Sequence, residues 1–393
     1  MVKKHIFTFT GDNISDVEKL PTMHQSQVMN DHLHKFLAQH KDHISDQYFN
    51  KKWDKYKKFA NDYELVFTSC YGFPSISIYN SISRSFFKLW EILHDFEDQL
   101  HFKQKKCIKG VFLAEGPGGF IEAFCKYRCT KQCDSIFGIT LLNPADRNIP
   151  NWKLPVELYE KYDIKLLTGD DGTGSMYNVK NIENYVENIG GNVADIVTAD
   201  GGFDFSNDFN NQEEQSMHLV ICEIYTALRV QAVGGFFVLK IYDIRTLNTM
   251  RILKLLHEHY DHVNIVKPLS SRPANSEKYL VCTGFKGPNV ERLQILRQII
   301  QYSNMGLLST IDIPNWFINQ AVHYNVFYIT KQVVHIHKTL TLIQCQNYKN
   351  NGDAEFVRNL KNQLDKAIRW CNKYNMQTSL EALHKYNEYY TRN

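Results

Sequence analysis

Two charged residues each follow directly after an apolar run of this chain. Asp200 follows the run IVTA, and Lys240 follows the run FFVL. In a parallel sheet, the carboxyl ends of neighbouring strands border the ligand crevice. A lysine at such a position can also reach solvent with its flexible stem and have no further role. Two such residues on adjacent predicted strands favour a functional site.

Two further charged residues lie outside these strands. Lys88 lies in SISRSFFKLWEI, a predicted helix, and Glu277 lies in SRPANSEKYLVC, just before the last predicted strand. Taken singly, each is explained as a surface charge. The ordered set of Lys88, Asp200, Lys240 and Glu277 on either side of a glycine-rich loop makes the four one candidate constellation.

The glycine-rich loop is FLAEGPGGF, residues 112–120, between a predicted strand and a predicted helix. Its glycines allow a tight turn and a close approach of backbone N–H groups to a ligand. It lacks the spacing of dinucleotide folds and the G-K-[ST] ending of a phosphate loop, which disfavours NAD and ATP. S-adenosylmethionine fits better, with a purely structural turn as the alternative. The expected cofactor residues are Glu115, Gly116, Pro117, Gly118, Gly119 and Phe120.

A second turn, GDDGTGS at residues 169–175, follows the third predicted strand. The carboxylates of Asp170 and Asp171 could reach the ribose or adenine of the same ligand. An ordinary acidic turn explains the pattern equally well, and the sequence leaves both interpretations open.

The region that must position these residues has an α/β texture. Short apolar runs alternate with amphipathic stretches from residue 108 to 286, which is typical of β-α repeats around a parallel sheet. A helix is predicted over Glu213–Val233, ending at the pair Gly234-Gly235. The seven predicted strands are Val111–Ala114, Ser135–Thr140, Ile164–Thr168, Asp195–Ala199, Phe236–Ile241, Val263–Lys267 and Lys278–Phe285.

Helical extensions are predicted on both sides, giving an N-terminal part at 1–105, a central domain at 106–287 and a C-terminal part at 288–393. The run KKWDKYKK in the first part is interpreted as a solvated helix face and, second, as an RNA contact. Aromatic residues of the last part indicate packing first and a partner surface second. No internal repeat separates the parts, so they can pack as one body. The predicted C-terminal helices are Val290–Tyr302, Ile313–Gln346, Ala354–Tyr374 and Ser379–Tyr390.

The composition sets limits on these interpretations. The chain has 393 residues, of which 43% are hydrophobic, so a disordered chain is disfavoured. Its net charge of +3 means that a nucleic-acid surface needs local clustering of charge. Nine cysteines without paired close spacing are expected to be reduced thiols, and no zinc site is predicted. The chain shows neither a signal peptide nor a membrane span, so we expect a soluble intracellular protein.

Five segments together resemble the motifs of a known family. They are similar to those of the FtsJ-like methyltransferases and, within that family, of cap-specific mRNA 2'-O-methyltransferases, including versions carried by large DNA viruses. The resemblance covers about residues 80–287, and it implies a Rossmann-like class I methyltransferase sheet, mostly parallel with its last strand antiparallel. The segments are FKLWEI, EGPGGF, ADGGF, GGFFVLK and SRPANSEKYLV.

The resemblance implies that Lys88, Asp200, Lys240 and Glu277 form a catalytic tetrad, with Lys240 as general base. A ribose 2'-hydroxyl is weakly acidic, so a neutral amine would help its attack on the sulfonium methyl. A free lysine has a pKa of about 10.4. Burial and the Lys88 cation should lower the pKa of Lys240, while Asp200 and Glu277 should raise it.

The resemblance also implies roles for neighbouring residues. Ser83, Ser175 and Asp200 are expected near the cofactor, with Asp170 or Asp171 replacing an aspartate that relatives carry near the position of Ser175. The expected substrate-binding residues are Arg272, Asn275 and Ser276.

The expected partner is capped RNA, with other capping or transcription proteins as further candidates, and no metal is needed for the reaction. The cap-binding residues are implied without being located. A 2'-O-methyltransferase of transfer or ribosomal RNA and a catalytically silent RNA-binding scaffold are the alternatives. The sequence leaves the cellular compartment and the oligomeric state open.

Overall fold

A single mixed sheet forms the centre of the molecule. The computed structural model describes residues 6–9, 31–70, 72–129, 133–143, 145–146, 149–203, 205, 208–345 and 354–392. The strands are β1 Ile6–Thr8, β2 Lys109–Leu113, β3 Ser135–Ile139, β4 Asp163–Leu167, β5 Ala194–Ala199, β6 Gln231–Ile241, β7 Tyr260–Val266 and β8 Lys278–Phe285. Their spatial order is β1-β7-β8-β6-β5-β2-β3-β4.

The sheet confirms the predicted Rossmann-like arrangement, mostly parallel with its last strand antiparallel, with one additional strand. Strands β2 to β6 pair in parallel, and β8 runs antiparallel between β6 and β7. The prediction of seven strands was wrong by one, because β1 pairs antiparallel with β7 at the edge of the sheet. This strand has three residues, too few to show an alternating pattern in the sequence.

Helices surround the sheet on both faces. The N-terminal ones are α1 Asp31–Ser45, α2 Gln47–Ala60, α3 Ser85–Asp95 and α4 Glu97–Leu100, with a 3₁₀ turn at Glu64–Val66. The connecting helices are α5 Gly119–Arg128, α6 Val156–Lys161, α7 Val179–Ile189, α8 Gln212–Val230 and α9 Leu247–His259. The C-terminal ones are α10 Val290–Tyr302, α11 Asn315–Cys345, α12 Ala354–Lys373 and α13 Leu380–Arg392, with a 3₁₀ turn at Met305–Thr310.

Helix α8 ends three residues earlier than predicted. Gln231 already pairs with Ala194 of the neighbouring strand, and its side chain accepts a hydrogen bond from the Tyr260 hydroxyl. The glycine pair predicted to stop the helix therefore lies inside β6, where the ladder shows a register shift. Pairing with β5 overrides the local stop signal.

Alternate residues of each strand enter two different cores. Phe237 and Leu239 contribute to one cluster, which includes α7, α8, α9 and α10. Phe236 and Val238 contribute to the other, which includes α3, α5, α12 and α13. The predicted terminal parts thus share their hydrophobic cores with the sheet, as period-two alternation allows.

Aromatic residues of the C-terminal helices pack as expected. Phe317, Tyr324 and Tyr328 are buried in the first cluster, whereas Phe327 is 44% exposed.

Among the helices of the described ranges, none combines the length and the apolar composition that a membrane span requires.

The prediction of free thiols was wrong for one pair of cysteines. Cys107 and Cys133 form a disulfide, with Cα atoms 5.2 Å apart. These residues precede β2 and β3, and the pairing of the two strands brings them together.

Candidate active site

The first half of the site lies at the ends of β5 and β6. Ala199 pairs with Leu239, so the residues that follow, Asp200 and Lys240, emerge side by side. The Nζ atom of Lys240 donates to the Asp200 carbonyl oxygen at 2.7 Å and lies 3.3 Å from Asp200 Oδ1. The two side chains are 10% and 13% exposed. Strand register therefore produces a largely buried ion pair.

The second half joins helix α3 to the segment before β8. Lys88 Nζ lies 2.7 Å from Glu277 Oε2, and both side chains are largely buried. Ser271 donates to the other carboxylate oxygen of Glu277 at 2.9 Å. The sequence placed these two charges 189 residues apart, and the fold brings them into contact.

Tyr279 links the two halves. Its hydroxyl donates to Asp200 Oδ1 at 2.8 Å, and Lys88 Nζ lies 5.9 Å from the centre of its ring. All four expected catalytic residues thus belong to one cluster. Tyr279 was not among the predicted site residues, although its spacing of two from Glu277 could have indicated it, because alternate residues of a strand share a face.

The charges of the cluster act on one another. Burial alone would lower the pKa of Lys240, but Asp200, Tyr242 and Glu277 raise it, and the net pKa lies above the ordinary value. Burial would raise the pKa of Glu277, whereas Lys88 and Lys240 lower it, and the net pKa lies below the ordinary value. In this arrangement Lys240 is an ammonium and Glu277 is a carboxylate.

The glycine loop lies at the end of β2, where helix α5 begins. Gly118 precedes the helix with φ of 114°, a left-handed conformation that favours glycine. A Cβ atom on Gly119 would lie 2.2 Å from the hydroxyl oxygen of Ser83, which places this expected cofactor residue against the loop. Phe120 N–H donates to Glu115 Oε1.

Glu115 has one carboxylate oxygen that remains available. Its Oε2 atom is buried and has no hydrogen-bond partner among the described residues. Burial, followed by the charge of Asp200, raises the pKa of Glu115 well above its usual range. A buried unpaired acceptor beside a glycine loop fits a ligand that carries hydrogen-bond donors.

The turn at 169–175 lies beside the glycine loop. Thr140 accepts from Gly116 N–H at 3.1 Å, and a Cβ atom on Gly174 would lie 1.8 Å from the Thr140 carbonyl oxygen. Asp171 accepts hydrogen bonds from Thr173, Asn178 and Asn181.

These hydrogen bonds, with Thr173 first, lower the pKa of Asp171. They occupy both of its carboxylate oxygens in shaping the turn. Asp170 is exposed beside it, and the hydroxyl of Ser175 accepts a hydrogen bond from the backbone of Tyr177.

The three expected substrate-binding residues have different environments in the structure. Arg272 makes two hydrogen bonds to the buried carboxylate of Glu64, at 2.6 and 3.0 Å. Ser276 is buried and donates to Asp243 Oδ2 at 3.1 Å, whereas Asn275 is exposed. The guanidinium of Arg272 therefore anchors the segment that carries Glu277.

A cavity of about 470 Å³ adjoins the second half of the site. Glu277, Asn275 and Ser276 line one part of it. Trp53 and Lys57 of the run KKWDKYKK also line it, so this face of α2 is directed at the site. The remaining aromatic lining residues are Phe203, Phe205, Phe209 and Tyr242.

Comparisons with known proteins identify a family and several relatives of this chain. The model of the FtsJ-like methyltransferase family matches residues 81–285. The cap-specific mRNA (nucleoside-2'-O-)-methyltransferase 1 of Xenopus laevis is 34% identical over 193 residues, covering 48% of this chain and 22% of that protein. The Mus musculus protein of the same name is 38% identical over 176 residues, covering 44% of this chain and 20% of that protein.

This chain therefore spans about a fifth of the length of these relatives. Among solved structures, a protein of Plasmodium falciparum described as a ribosomal RNA methyltransferase aligns with 52% of this chain and 99% of its own. It is 21% identical with a TM-score of 0.38, a likeness too low to bear on function.

Proposed function

Since this chain belongs to the FtsJ-like methyltransferase family, we propose that it methylates the ribose 2'-hydroxyl of the first transcribed nucleotide of capped mRNA, with S-adenosylmethionine as the methyl donor. The observation that carries the proposal is the cluster of Lys240, Asp200, Lys88 and Glu277 beside the glycine loop. The names of the relatives from Xenopus and mouse support the choice of capped mRNA.

The residues at the ends of β2 to β5 fit the cofactor. The glycine loop would hold its amino-acid end, with the free acceptor Glu115 Oε2 facing a donor group. Asp170 would lie toward its ribose or adenine, since Asp171 is occupied within the turn. When bound, S-adenosylmethionine supplies a methyl group on a positively charged sulfur, whose charge opposes protonation of a neighbouring amine.

Lys240 is proposed to accept the proton of the 2'-hydroxyl. The Asp200 carbonyl and carboxylate oxygens fix the position of its Nζ atom. Because the raised pKa keeps Lys240 protonated in the present arrangement, its function as a base requires loss of that proton before the methyl group moves. The rate of methyl transfer should therefore rise with pH.

The cavity next to Glu277 is the proposed place for the 5' end of the RNA. Trp53 and Phe203 offer aromatic faces for bases, a form of recognition that single-stranded nucleic acids commonly use. Lys41 and Lys57 lie in the lining, but each has a carboxylate partner, Asp243 and Asp54. Stacking of bases on aromatic side chains is therefore expected to contribute more to RNA binding in this cavity than the charges of the two lysines.

A tritiated methyl-transfer assay on matched short RNAs tests the proposal. We expect incorporation into capped RNA, with nuclease mapping of the label to the ribose of the first transcribed nucleotide. Equal incorporation into uncapped RNA would favour a transfer or ribosomal RNA substrate. Absence of incorporation into every RNA, with RNA binding retained, would favour a silent scaffold and overturn the proposed activity.

A further inference from the structure

A buried glutamate lies next to the turn that follows Asp200, in the first half of the site. Glu223, on helix α8, is 1% exposed. A Cβ atom on Gly201 would lie 2.3 Å from Glu223 Oε1, and a Cβ atom on Gly202 would lie 2.9 Å from Lys240 Nζ. The turn after Asp200 is therefore enclosed between a carboxyl group and an amine, and side chains at either glycine would collide with them.

The surroundings of Glu223 disfavour its charged form. Gly201 N–H donates a hydrogen bond to the carboxyl group, but Oε1 has no partner among the described residues. No lysine or arginine of the described ranges forms a direct ion pair with it. An ionised carboxylate with an unsatisfied oxygen is costly in such a position. Burial raises the pKa of Glu223 to about 8, with Lys240 lowering it and Asp200 raising it.

We propose that Glu223 is a positioning residue whose protonation state controls Lys240: the neutral carboxyl group lets Lys240 lose its proton, and the ionised carboxylate retains the ammonium. This inference rests on the proposed function, because it assigns Lys240 the role of base. No proton passes from substrate to Glu223, and its effect is electrostatic.

Several other ionisable groups lie close to Glu223 or to Lys240, among them Glu115, whose pKa is raised by burial and by the charge of Asp200. Asp200 lies at the end of β5, and Tyr242 follows Lys240 after β6. The charge of Glu223 also acts on Tyr177, in the segment before α7. Burial raises the pKa of Tyr177 and of Tyr242 to about 12, so both phenols stay neutral. Cys222 on the same helix also has a pKa raised by burial.

The charge of Glu223 determines how the fraction of neutral Lys240 changes with pH. Below about pH 7, Glu223 is neutral and adds no charge next to Lys240. As the pH rises through about 8, Glu223 ionises and raises the pKa of Lys240, so a smaller fraction of the amine becomes neutral. Glu223→Gln keeps the size of the side chain and a hydrogen-bond acceptor for Gly201, but it cannot ionise.

Single-turnover methyl transfer, measured from about pH 6.5 to about pH 9.5, compares Glu223→Gln with the unaltered chain. We expect equal rates at the acid end and a variant that is faster at the alkaline end by up to about tenfold, because a pKa of Lys240 that is lower by about one makes about ten times more neutral amine available. Glu214→Gln, on the same helix with a side chain 59% exposed, is the matched control and should follow the unaltered profile.

Superimposable profiles for Glu223→Gln and the unaltered chain would overturn the inference while leaving the methyl transfer itself intact. Absence of methyl transfer in the unaltered chain would instead refute the proposed function. If the variant does not fold, the carboxyl signals of ¹³C-labelled glutamate in the unaltered protein supply the test. We expect the signal assigned to Glu223 to titrate near pH 8. Titration of that signal below about pH 6 would overturn the inference.

Discussion

The two halves of the site are held by different means. Asp200 and Lys240 leave adjacent parallel strands in the middle of the sheet, and backbone register alone makes them neighbours. Lys88 and Glu277 come from a helix and from the segment before β8, which no strand pairing holds. The first pair depends on the sheet, whereas the second depends on whatever packs against that segment.

The segment before β8 is held by buried polar contacts from both terminal parts of the chain. Glu91 of α3 accepts hydrogen bonds from the N–H groups of Leu269 and Ser270, and from Trp370 of α12. Gln332 of α11 donates to the Ala274 carbonyl oxygen at 3.0 Å and to Ser276 Oγ at 3.1 Å.

Asp243 forms the charged centre of these contacts. It lies between Lys41 of α1, at 2.9 Å, and Lys278 of β8, at 3.3 Å. It also accepts from Ser276, the residue before Glu277. The helical extensions on both sides of the central domain therefore hold the second half of the site in place.

Replacement of the proposed base, Lys240, should produce the largest effect. Lys240 belongs to the half of the site that the sheet holds in place. Lys240→Ala is expected to lower the rate of methyl transfer by about 10²- to 10⁴-fold, because it removes the proton acceptor. Cofactor binding should be nearly unchanged, as measured by calorimetry. Lys254→Ala, on a lysine of α9 paired with Glu258, is the control. Equal transfer by Lys240→Ala and the unaltered chain would show that the base is misassigned.

Removal of the charge on Asp243 should destabilise the other half. Asp243→Asn leaves two buried lysines without their shared carboxylate and is expected to cost about 3–5 kcal/mol of unfolding free energy, measured in urea. Asp163→Asn, on a side chain 48% exposed, should cost little by comparison. Equal stabilities for the two variants would contradict the view that this half depends on a buried network.

Low pH is expected to destabilise the buried contacts around Asp243, which hold the second half of the site, before it destabilises the first half. Burial alone would raise the pKa of Asp243, but Lys41 and Lys278 lower it, and the net pKa is depressed, as it is for Glu277. A depressed carboxyl pKa contributes stability above the unfolded-state value, about 4, and this contribution is lost as the pH falls below it. We expect unfolding free energy, measured from about pH 7 to about pH 3, to fall less steeply in Asp243→Asn. Parallel curves would argue against this source of acid sensitivity.

The smallest predicted effect concerns Gln332. Gln332→Leu removes both hydrogen bonds to the segment of Glu277 and is expected to cost about 1 kcal/mol of stability. The kcat of methyl transfer should fall about tenfold, with the KM for the cofactor unchanged, because Lys88 and Glu277 lose alignment while the glycine loop is untouched. Val334→Ala, at a position of α11 that is 58% exposed, is the matched control. An unchanged kcat in Gln332→Leu would separate α11 from the site.

The sequence determined the elements and the order of the reacting groups. Apolar runs, glycine clusters and helical periodicity are local properties, and they predicted seven of the strands, the helix of residues 290–302 and the glycine loop. The charges that follow apolar runs, together with the resemblance to a family, predicted the four residues that meet in one cluster. Strand ends of a parallel sheet share one edge, which accounts for Asp200 and Lys240, whereas Lys88 and Glu277 were predicted from the resemblance.

Only the tertiary structure decided which partners surround those residues. Three of these contacts join segments that are distant in the chain. Tyr279 lies between the two ion pairs, Glu223 lies next to Gly201, and Glu64 accepts hydrogen bonds from Arg272. The same is true of the edge strand β1 and of the disulfide between Cys107 and Cys133. Local patterns carry no information on such contacts, and the pKa of Lys240 is a sum over charges that only folding brings together.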